Sequence, residues 1–282
     1  MSTTLHWLTL AAYLLGTCVY LGFVVWQRRG LHVMGRGILW AGFGLHSLAL
    51  TAAWIETGAL PALSLRQSLD VFSWALMGAT LVVNLRLKIM ILGALTAPLC
   101  ALLLLAATAV LPLPVAPPSA LLKSAWIVIH VLSLSAGYGL LTLTCLSGGL
   151  YLLQDSLIRK KRLGAAFKRL PSLSRLDSLG QQALVAGFTL LTVGLITGAV
   201  YAQITLGSYW RWHPKEVWSL ITWLCYTAIL HTRLVQGWRG RRGAWLGVAA
   251  FAALMFTFLG VGLLYSGYHS FEALPTLTGP LP

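Results

Sequence analysis

Four histidines of this chain stand within or beside long apolar runs, where an ionisable side chain is costly and therefore suggests function. His46 and His231 lie inside such runs, His130 lies near the start of another, and His269 follows the last one. Two imidazoles that face each other across a flat space can bind a haem iron from both sides, as in b-type haem. The pattern predicts an inner pair, His46 with His231, and an outer pair, His130 with His269.

The two pairs differ in how well their depths match. Along ideal helices, His46 lies about 16 Å and His231 about 8 Å from their inner helix ends, so the inner pair requires tilted helices. His6 and His32, near the chain terminus and in a linker, are interpreted as solvent or headgroup contacts. A lone histidine in a membrane helix is also compatible with a hydrogen-bonded packing role.

The second chemical feature is a dense aromatic run at residues 207–223, which reads GSYWRWHPKEVWSLITW. Its tryptophans are Trp210, Trp212, Trp218 and Trp223. A membrane-interface belt accounts for two or three of them, but Pro214 and Glu216 also predict a helix start whose positive end faces the run. A flat, apolar and partly anionic ligand stacks on indole rings and places its acidic groups near such a helix end. The run therefore predicts a shelf that fits haem.

Composition places these residues in a membrane. The AVILMFWYC set makes up 58% of the 282 residues and charged residues only 9%, whereas soluble domains carry about 25% charged residues. Soluble enzyme folds are excluded, and the sequence predicts an all-α integral membrane protein that forms a single domain over residues 1–282. Spans of about 20 apolar residues predict a bundle of about eight helices, at residues 5–26, 36–55, 69–86, 89–111, 124–153, 179–202, 216–236 and 244–266.

The basic residues set the predicted orientation. Sixteen of the 20 Lys and Arg residues fall in or beside the linkers after the first, third, fifth and seventh spans. The positive-inside rule places these linkers in the cytoplasm and both termini on the extracytoplasmic side. Residues 203–215 then form an external Trp-rich loop and residues 267–282 an external tail. Topology accounts for the formal charge of +14, so we predict no nucleic-acid partner.

The four cysteines are interpreted as buried packing residues. None forms a CxxC pair of the kind typical of zinc or thioredoxin-like sites. The sequence also contains no CxxCH motif, so the haem expected here is haem b, bound without covalent attachment.

The aromatic run, with ITWLCYTAILHTR at its end, resembles the tryptophan-rich WWD signature of the haem-handling cytochrome c biogenesis proteins. The PKE and the LITW and LHTR elements are closer to the CcsA/ResC branch of that superfamily than to its CcmC or CcmF branches. Three further segments are similar to the same branch: GLHSLALTAAW…LPALSLRQSLDVFSW, SAWIVIHVLSLSAGY and LPSLSRLDSLGQQALVAGF. The resemblance covers about residues 40–270.

The resemblance implies a role for each motif residue. It makes His130 and His269 the external histidines that bind haem iron against the tryptophan shelf, and it makes His46 and His231 embedded histidines that hold or pass an internal haem. The signature tryptophans are Trp210, Trp212, Trp218 and Trp223. One position departs from the family pattern, since His213 stands where the family has an aspartate. His213 either replaces a hydrogen-bonding loop residue or adds a fifth candidate ligand beside the shelf.

The resemblance also implies a function. Proteins of this branch carry or present haem on the extracytoplasmic face for attachment to the CxxCH thiols of an apocytochrome c. Because this chain supplies no thiol relay outside the membrane, a ResB/CcsB-like membrane partner is expected. The chain is then a component of a cytochrome c synthetase in a bacterial inner (cytoplasmic) membrane, and whether it counts as an enzyme by itself stays open.

Three alternatives stay open from the sequence. A HemX-type regulator of haem biosynthesis has similar size and topology, and its contact would be the basic linker after the fifth span. A haem-b electron-carrying subunit of a quinone-linked complex would retain its haem and reduce it with quinol. A transporter of another small molecule would use the tryptophans only as a belt, but the spans contain no inverted repeat or paired midplane charges.

Overall fold

The structure, a computed structural model, describes residues 1–62, 64–109 and 124–265. Its helices in chain order are α1 (Ser2–Trp26), α2 (Arg29–Thr57), α3 (Leu65–Leu87), α4 (Leu92–Ala109), α5 (Ala125–Arg159), α6 (Ala165–Arg169), α7 (Leu173–Leu206), α8 (Pro214–Leu234), α9 (Arg241–Met255), a π-helical segment (Phe256–Gly260) and α10 (Val261–Leu264). His269 and the predicted tail, residues 267–282, lie outside the described residues.

Seven helical passes in the described part of the chain are long and apolar enough to cross a membrane: α1 to α5, α7, and the last pass from Arg241 to Leu264. The remaining long pass is α8, whose 21 residues include Lys215, Glu216, His231 and Arg233. These polar residues lower its hydropathy below that of the other passes. The all-α membrane bundle predicted from composition is confirmed.

Two helices run further than the apolar stretches that predicted them. The predicted span 124–153 begins at the N-cap of α5, which continues to Arg159. The predicted span 179–202 lies within α7, which begins at Leu173. Hydropathy marks only the part of a helix that can face hydrocarbon, whereas helical hydrogen bonding continues to the cap. Ser172 is such a cap, because its hydroxyl accepts a hydrogen bond from the backbone N–H of Arg175.

Helix α5 lies at the centre of the bundle, in contact with α3, α7 and α9. Glycines allow the backbones to approach closely. Gly137 faces the backbone of Gly187 and Leu191 on α7, and Gly139 faces the backbone of Ala75 on α3. Small residues at helix contacts are typical of membrane bundles, in which van der Waals packing drives association. This packing fixes α5 against α7.

Two large clusters of buried apolar side chains fill most of the bundle, beside a small one of Ile89, Leu92 and Leu179. One is centred on α1 to α4 and includes Tyr13 and Leu76, and the other joins α5, α7, α8 and α9 around Tyr138 and Tyr226. Helix α3 contributes to both clusters, since Phe72 belongs to the second. The two clusters therefore meet at α3, and also at α5 and α7, whose Leu143 and Ala183 belong to the first cluster.

Successive long passes run in opposite directions, which gives the bundle two ends. At one end, the start of α1 meets the end of α2, where Ser2 donates hydrogen bonds to the Glu56 carboxylate. The loop 207–213 lies at this same end, which we call the Trp-loop face. At the other end, Arg169 of α6 donates to the Val25 carbonyl of α1. We call this end the basic face, after the linkers 27–28, 160–172 and 235–240.

Candidate functional site

The aromatic run begins as a short turn between α7 and α8. Gly207 ends α7 in the left-handed conformation, with φ of 71°, which glycine adopts without strain. The Glu216 carboxylate accepts hydrogen bonds from the backbone N–H groups of Arg211, at 2.8 Å, and His213, at 3.3 Å. Glu216 therefore folds the turn back onto the N-terminus of α8, where a negative charge is favoured.

Three tryptophans surround this turn. Trp210 and Trp212 meet edge to face with ring centroids 5.7 Å apart, and Trp212 is 76% exposed. Trp218, in the second turn of α8, packs against Phe256 with ring centroids 4.3 Å apart. We call Trp210, Trp212 and Trp218 the Trp shelf. It combines an exposed indole with one whose position is fixed by the last pass.

Trp223 has a different environment from the other three. Its indole N–H donates a hydrogen bond of 3.0 Å to the Thr192 hydroxyl of α7, and its ring packs on Phe188 with centroids 5.6 Å apart. A tryptophan whose N–H donates a hydrogen bond to a neighbouring helix, and whose ring packs on that helix, connects the two helices. Trp223 therefore fixes α8 to α7 below the Trp shelf.

His213 is the N-cap of α8. Its Nδ1 accepts a hydrogen bond of 3.2 Å from the Lys215 backbone N–H, as an aspartate carboxylate does at this position. Because Nδ1 accepts, the proton of the neutral ring is on Nε2. Burial lowers the pKa of His213 below its usual 6.5; Glu216 opposes this effect, and Lys215 and Arg211 add to it. The neutral ring that caps the helix is therefore the favoured form.

His130 lies in the second turn of α5, half-buried against α7. Its Nδ1 forms a hydrogen bond of 2.7 Å with the Gly194 carbonyl. A carbonyl only accepts, so Nδ1 carries the proton and Nε2 keeps its lone pair. Metal-binding histidines have this arrangement, with the other ring nitrogen held by a carbonyl or a carboxylate. Gly198 makes room for the ring, since a Cβ there would lie 2.5 Å from it.

His46 is fully buried, and both of its ring nitrogens have partners. Nδ1 lies 3.2 Å from the Tyr13 hydroxyl, and Nε2 lies 3.2 Å from the Asp70 carboxylate. The same carboxylate oxygen lies 3.3 Å from Nδ1 of His6. His6 is only 7% exposed, so its interpretation as a solvent or headgroup contact is wrong. The partly buried Asp70 carboxylate draws it into the bundle. We call these four residues the His6–Asp70 cluster.

The structure places His46 nearer the Trp-loop face than the basic face. Helix α2 begins at Arg29, before the predicted start of the second span, so His46 lies about 26 Å from that end and about 16 Å from the Thr57 end. His231 lies in the last turn of α8, close to the basic face, with its side chain exposed. His46 and His231 are thus in opposite halves of the bundle, and their pairing as facing ligands stays a prediction.

Sequence reasoning missed the carboxylate that organises the N-terminal helices. Asp70 is one of only six acidic residues and stands inside the predicted span 69–86. A carboxylate in an apolar span needs a partner, and histidines on neighbouring spans are the natural candidates. The presence of a carboxylate in an apolar span therefore indicates that Asp70 pairs with a histidine. It does not indicate which of the seven histidines are its partners.

Comparison with known proteins gives consistent results for sequence and fold. A family model described as "Cytochrome C assembly protein" matches residues 62–269. The cytochrome c biogenesis protein CcsA of Guillardia theta is 31% identical over 96% of this chain and 95% of its own length. The CcsA protein of Prochlorococcus marinus strain NATL1A is 36% identical over 79% of each chain.

A solved structure, described as cytochrome c heme lyase CcmF, shares the fold. It superposes with a TM-score of 0.62 at 20% sequence identity, over 92% of this chain and 46% of its own length. The chain thus corresponds to about half of that protein. Because a family model matches most of the chain and a relative aligns over nearly all of it, the chain belongs to the cytochrome c assembly protein family.

Proposed function

We propose that this membrane protein acts in cytochrome c assembly by holding haem at its Trp-loop face for attachment to apocytochrome c. Membership of the cytochrome c assembly family supports the process. The observation that carries the site is His130, whose Nδ1 is held by the Gly194 carbonyl so that Nε2 is available to iron. Haem is the cargo of this site, bound as haem b without a covalent bond.

His130 and His269 are the proposed axial ligands. Porphyrin fills four positions around the iron, so two imidazoles complete its coordination. His130 lies on α5 near the Trp-loop face, and His269 follows the last pass, which ends at the same face. The exposed ring of Trp212 and the fixed ring of Trp218 supply apolar surfaces for the porphyrin plane. The Trp shelf and His130 thus fit a planar ligand that contains iron.

His213 is proposed to shape the site without binding iron. Its Nδ1 caps α8, and its proton is placed on Nε2, the reverse of His130. The capping bond reproduces what an aspartate does at the start of a helix. The departure from the family pattern therefore preserves the turn that carries Trp210 and Trp212.

His231 and His46 are proposed to act away from this site. His231 is exposed on α8 near the basic face, where a haem that enters from that side would first meet it. His46 is part of the His6–Asp70 cluster, in which its two nitrogens bind Tyr13 and Asp70. An internal haem held by both histidines would require His46 to leave these partners.

Attachment requires more than this chain. In thioether formation, a cysteine S–H of the apocytochrome CxxCH adds across a haem vinyl group, so the sulfur bonds to one carbon and the proton goes to the other. We propose that a ResB/CcsB-like membrane partner supplies the reduced apocytochrome, and that the Trp-loop face is extracytoplasmic in a bacterial inner membrane. The sixteen basic residues in or beside the opposite linkers support this orientation.

Haem staining of cells that carry His130 variants tests the proposal. In a strain whose own gene is deleted, the wild-type chain should restore covalently haem-stained cytochromes c, and His130→Ala should not. His231→Ala, made in the same strain, shows whether the effect on haem staining is specific to His130 or is shared by His231. If His130→Ala accumulates in the membrane and restores full haem staining, the proposed role of His130 is wrong.

A further inference from the structure

The last pass contains a wide turn just where it meets α8. Residues Phe256–Gly260 form a π-helical segment between α9 and α10. A π-turn contains an additional residue, so one carbonyl loses its usual helical partner, and such turns occur frequently at functional sites. Three residues before this segment, the Ala253 carbonyl lies 2.9 Å from the Thr257 hydroxyl and 3.3 Å from the Thr222 hydroxyl of α8. Two threonine hydroxyls therefore lie against the start of the wide turn.

The same two threonines connect the π-helical segment to α8. Their hydroxyl oxygens lie 2.7 Å apart, and the Thr257 hydroxyl lies 3.1 Å from the Trp218 carbonyl. One arrangement of protons satisfies both contacts, with Thr222 donating to Thr257 and Thr257 donating to the Trp218 carbonyl. Both side chains are 1% exposed, so water does not compete for these bonds.

Trp218 also contacts the π-helical segment through its ring. The Phe256 ring, from the first residue of the π-helical segment, packs against Trp218 at a centroid distance of 4.3 Å. Gly260, the last residue of the segment, leaves room for that ring, since a Cβ there would lie 2.7 Å from Phe256 Cδ2. The segment therefore fixes Trp218 through its backbone carbonyl and through its ring.

We propose that Thr222 and Thr257 are positioning residues that set the angle of the Trp218 indole against bound haem. This inference rests on the proposed function, because it concerns the same Trp shelf. The threonines touch the shelf only through Trp218 and do not contact the haem. They hold α8 and the π-helical segment at a fixed position relative to each other. In that position Trp218 lies between Phe256 and the ligand.

The test uses the full-length chain purified in detergent from haem-replete cells. Thr257→Val and Thr222→Val remove one hydroxyl each while keeping the side-chain shape. Thr227→Val is the matched control, since Thr227 lies on α8 and its hydroxyl bonds only the Trp223 carbonyl of its own helix. Thr257→Ser restores the hydroxyl. The readouts are the haem dissociation constant and the circular dichroism of the Soret band, which depends on the angle between haem and nearby indoles.

Loss of a cross-helix bond should raise the haem dissociation constant about tenfold in Thr257→Val. Both valine variants should change the Soret dichroism, whereas Thr227→Val and Thr257→Ser should match the wild type. If Thr257→Val elutes as an aggregate in size exclusion, Thr222→Val decides the question. The inference is overturned if the valine variants match the wild type, or if Thr227→Val has the same effect. A wild-type chain without a Soret band would instead contradict the proposed function, since no haem would be bound.

Discussion

His130 on α5 donates a hydrogen bond of 2.7 Å to the carbonyl of Gly194 on α7, a residue 64 positions later in the chain. This bond places the proton of the ring on Nδ1 and leaves Nε2 able to bind iron. It also couples the proposed ligand to helix packing, because α5 and α7 approach through glycines. Changes in that packing should therefore alter haem binding without touching the ligand.

Gly198→Ala tests this coupling. The added Cβ would lie 2.5 Å from His130 Cε1 and Nδ1, so the ring must move away from Gly194. We expect about a tenfold loss of haem retention, since overpacking costs about 1–3 kcal/mol. Haem per protein after size exclusion is the measurement. Gly149→Ala is the control on α5, because a Cβ there meets nothing within 4 Å. Equal haem content in both variants would argue against the coupling.

His213→Asp should preserve haem binding and cytochrome c assembly. An aspartate accepts the Lys215 backbone N–H in place of Nδ1 and keeps the N-cap of α8. His213→Ala loses the cap, which costs about 1 kcal/mol. Haem content and haem-stained cytochromes c are measured for both variants. Complete loss of haem in His213→Asp would identify His213 as an iron ligand. It would contradict the interpretation of His213 as a helix cap only.

Acidification should weaken the Trp loop through the same residue. The folded protein lowers the pKa of His213 below its usual 6.5, so the unfolded chain binds the proton more readily. The stability contributed by the neutral cap is fully present above about pH 6.5 and is lost as the pH falls through the lower folded pKa. Thermal unfolding of wild type and His213→Asp between pH 5 and 8 checks this. The stability difference between the two should change across this window, and a constant difference would contradict the capping account.

Asp70→Asn should destabilise the N-terminal helices and leave the haem site intact. The substitution removes the carboxylate charge that lies 3.3 Å from His6 Nδ1 and 3.2 Å from His46 Nε2, and hydrogen bonds to a charged group contribute about 1.5–3 kcal/mol. Asp155→Asn is the control, because its partners Arg159 and Arg241 are 62% and 56% exposed and such pairs contribute less than about 1 kcal/mol. Unfolding in a denaturing detergent titration gives the two free energies. Similar values for both variants would show that the His6–Asp70 cluster contributes little to stability.

The helices could be predicted because the membrane requires long apolar segments and because helix ends carry recognisable caps. Pro214 and Glu216 marked the start of α8 from sequence, and the structure adds His213 as the N-cap. Helix α2 begins at Arg29, seven residues before the predicted span 36–55, because Arg29 and His32 interrupt the apolar run that hydropathy detects. Hydropathy reports which residues tolerate hydrocarbon, and hydrogen bonding alone decides where a helix begins.

The chemical state of each histidine could not be predicted from the sequence. His130, His213 and His46 all qualified as candidate ligands by residue type and place. Their hydrogen bonds distinguish them, since His130 donates through Nδ1, His213 accepts through Nδ1, and His46 has partners on both nitrogens. Most of these partners lie on other helices, far along the chain. Only the folded structure therefore distinguishes a histidine whose Nε2 is available to iron from one that caps a helix or connects two helices.

The optical spectrum of the purified full-length chain tests the central claim most directly. Wild-type protein from haem-replete cells should show a Soret band, and His130→Ala and His269→Ala should each lose most of their haem. Added imidazole should restore the band in both variants by replacing the missing ligand, and it should leave the wild type unchanged. A wild-type chain without a Soret band, or a His130→Ala chain with the wild-type spectrum and haem content, would contradict the account.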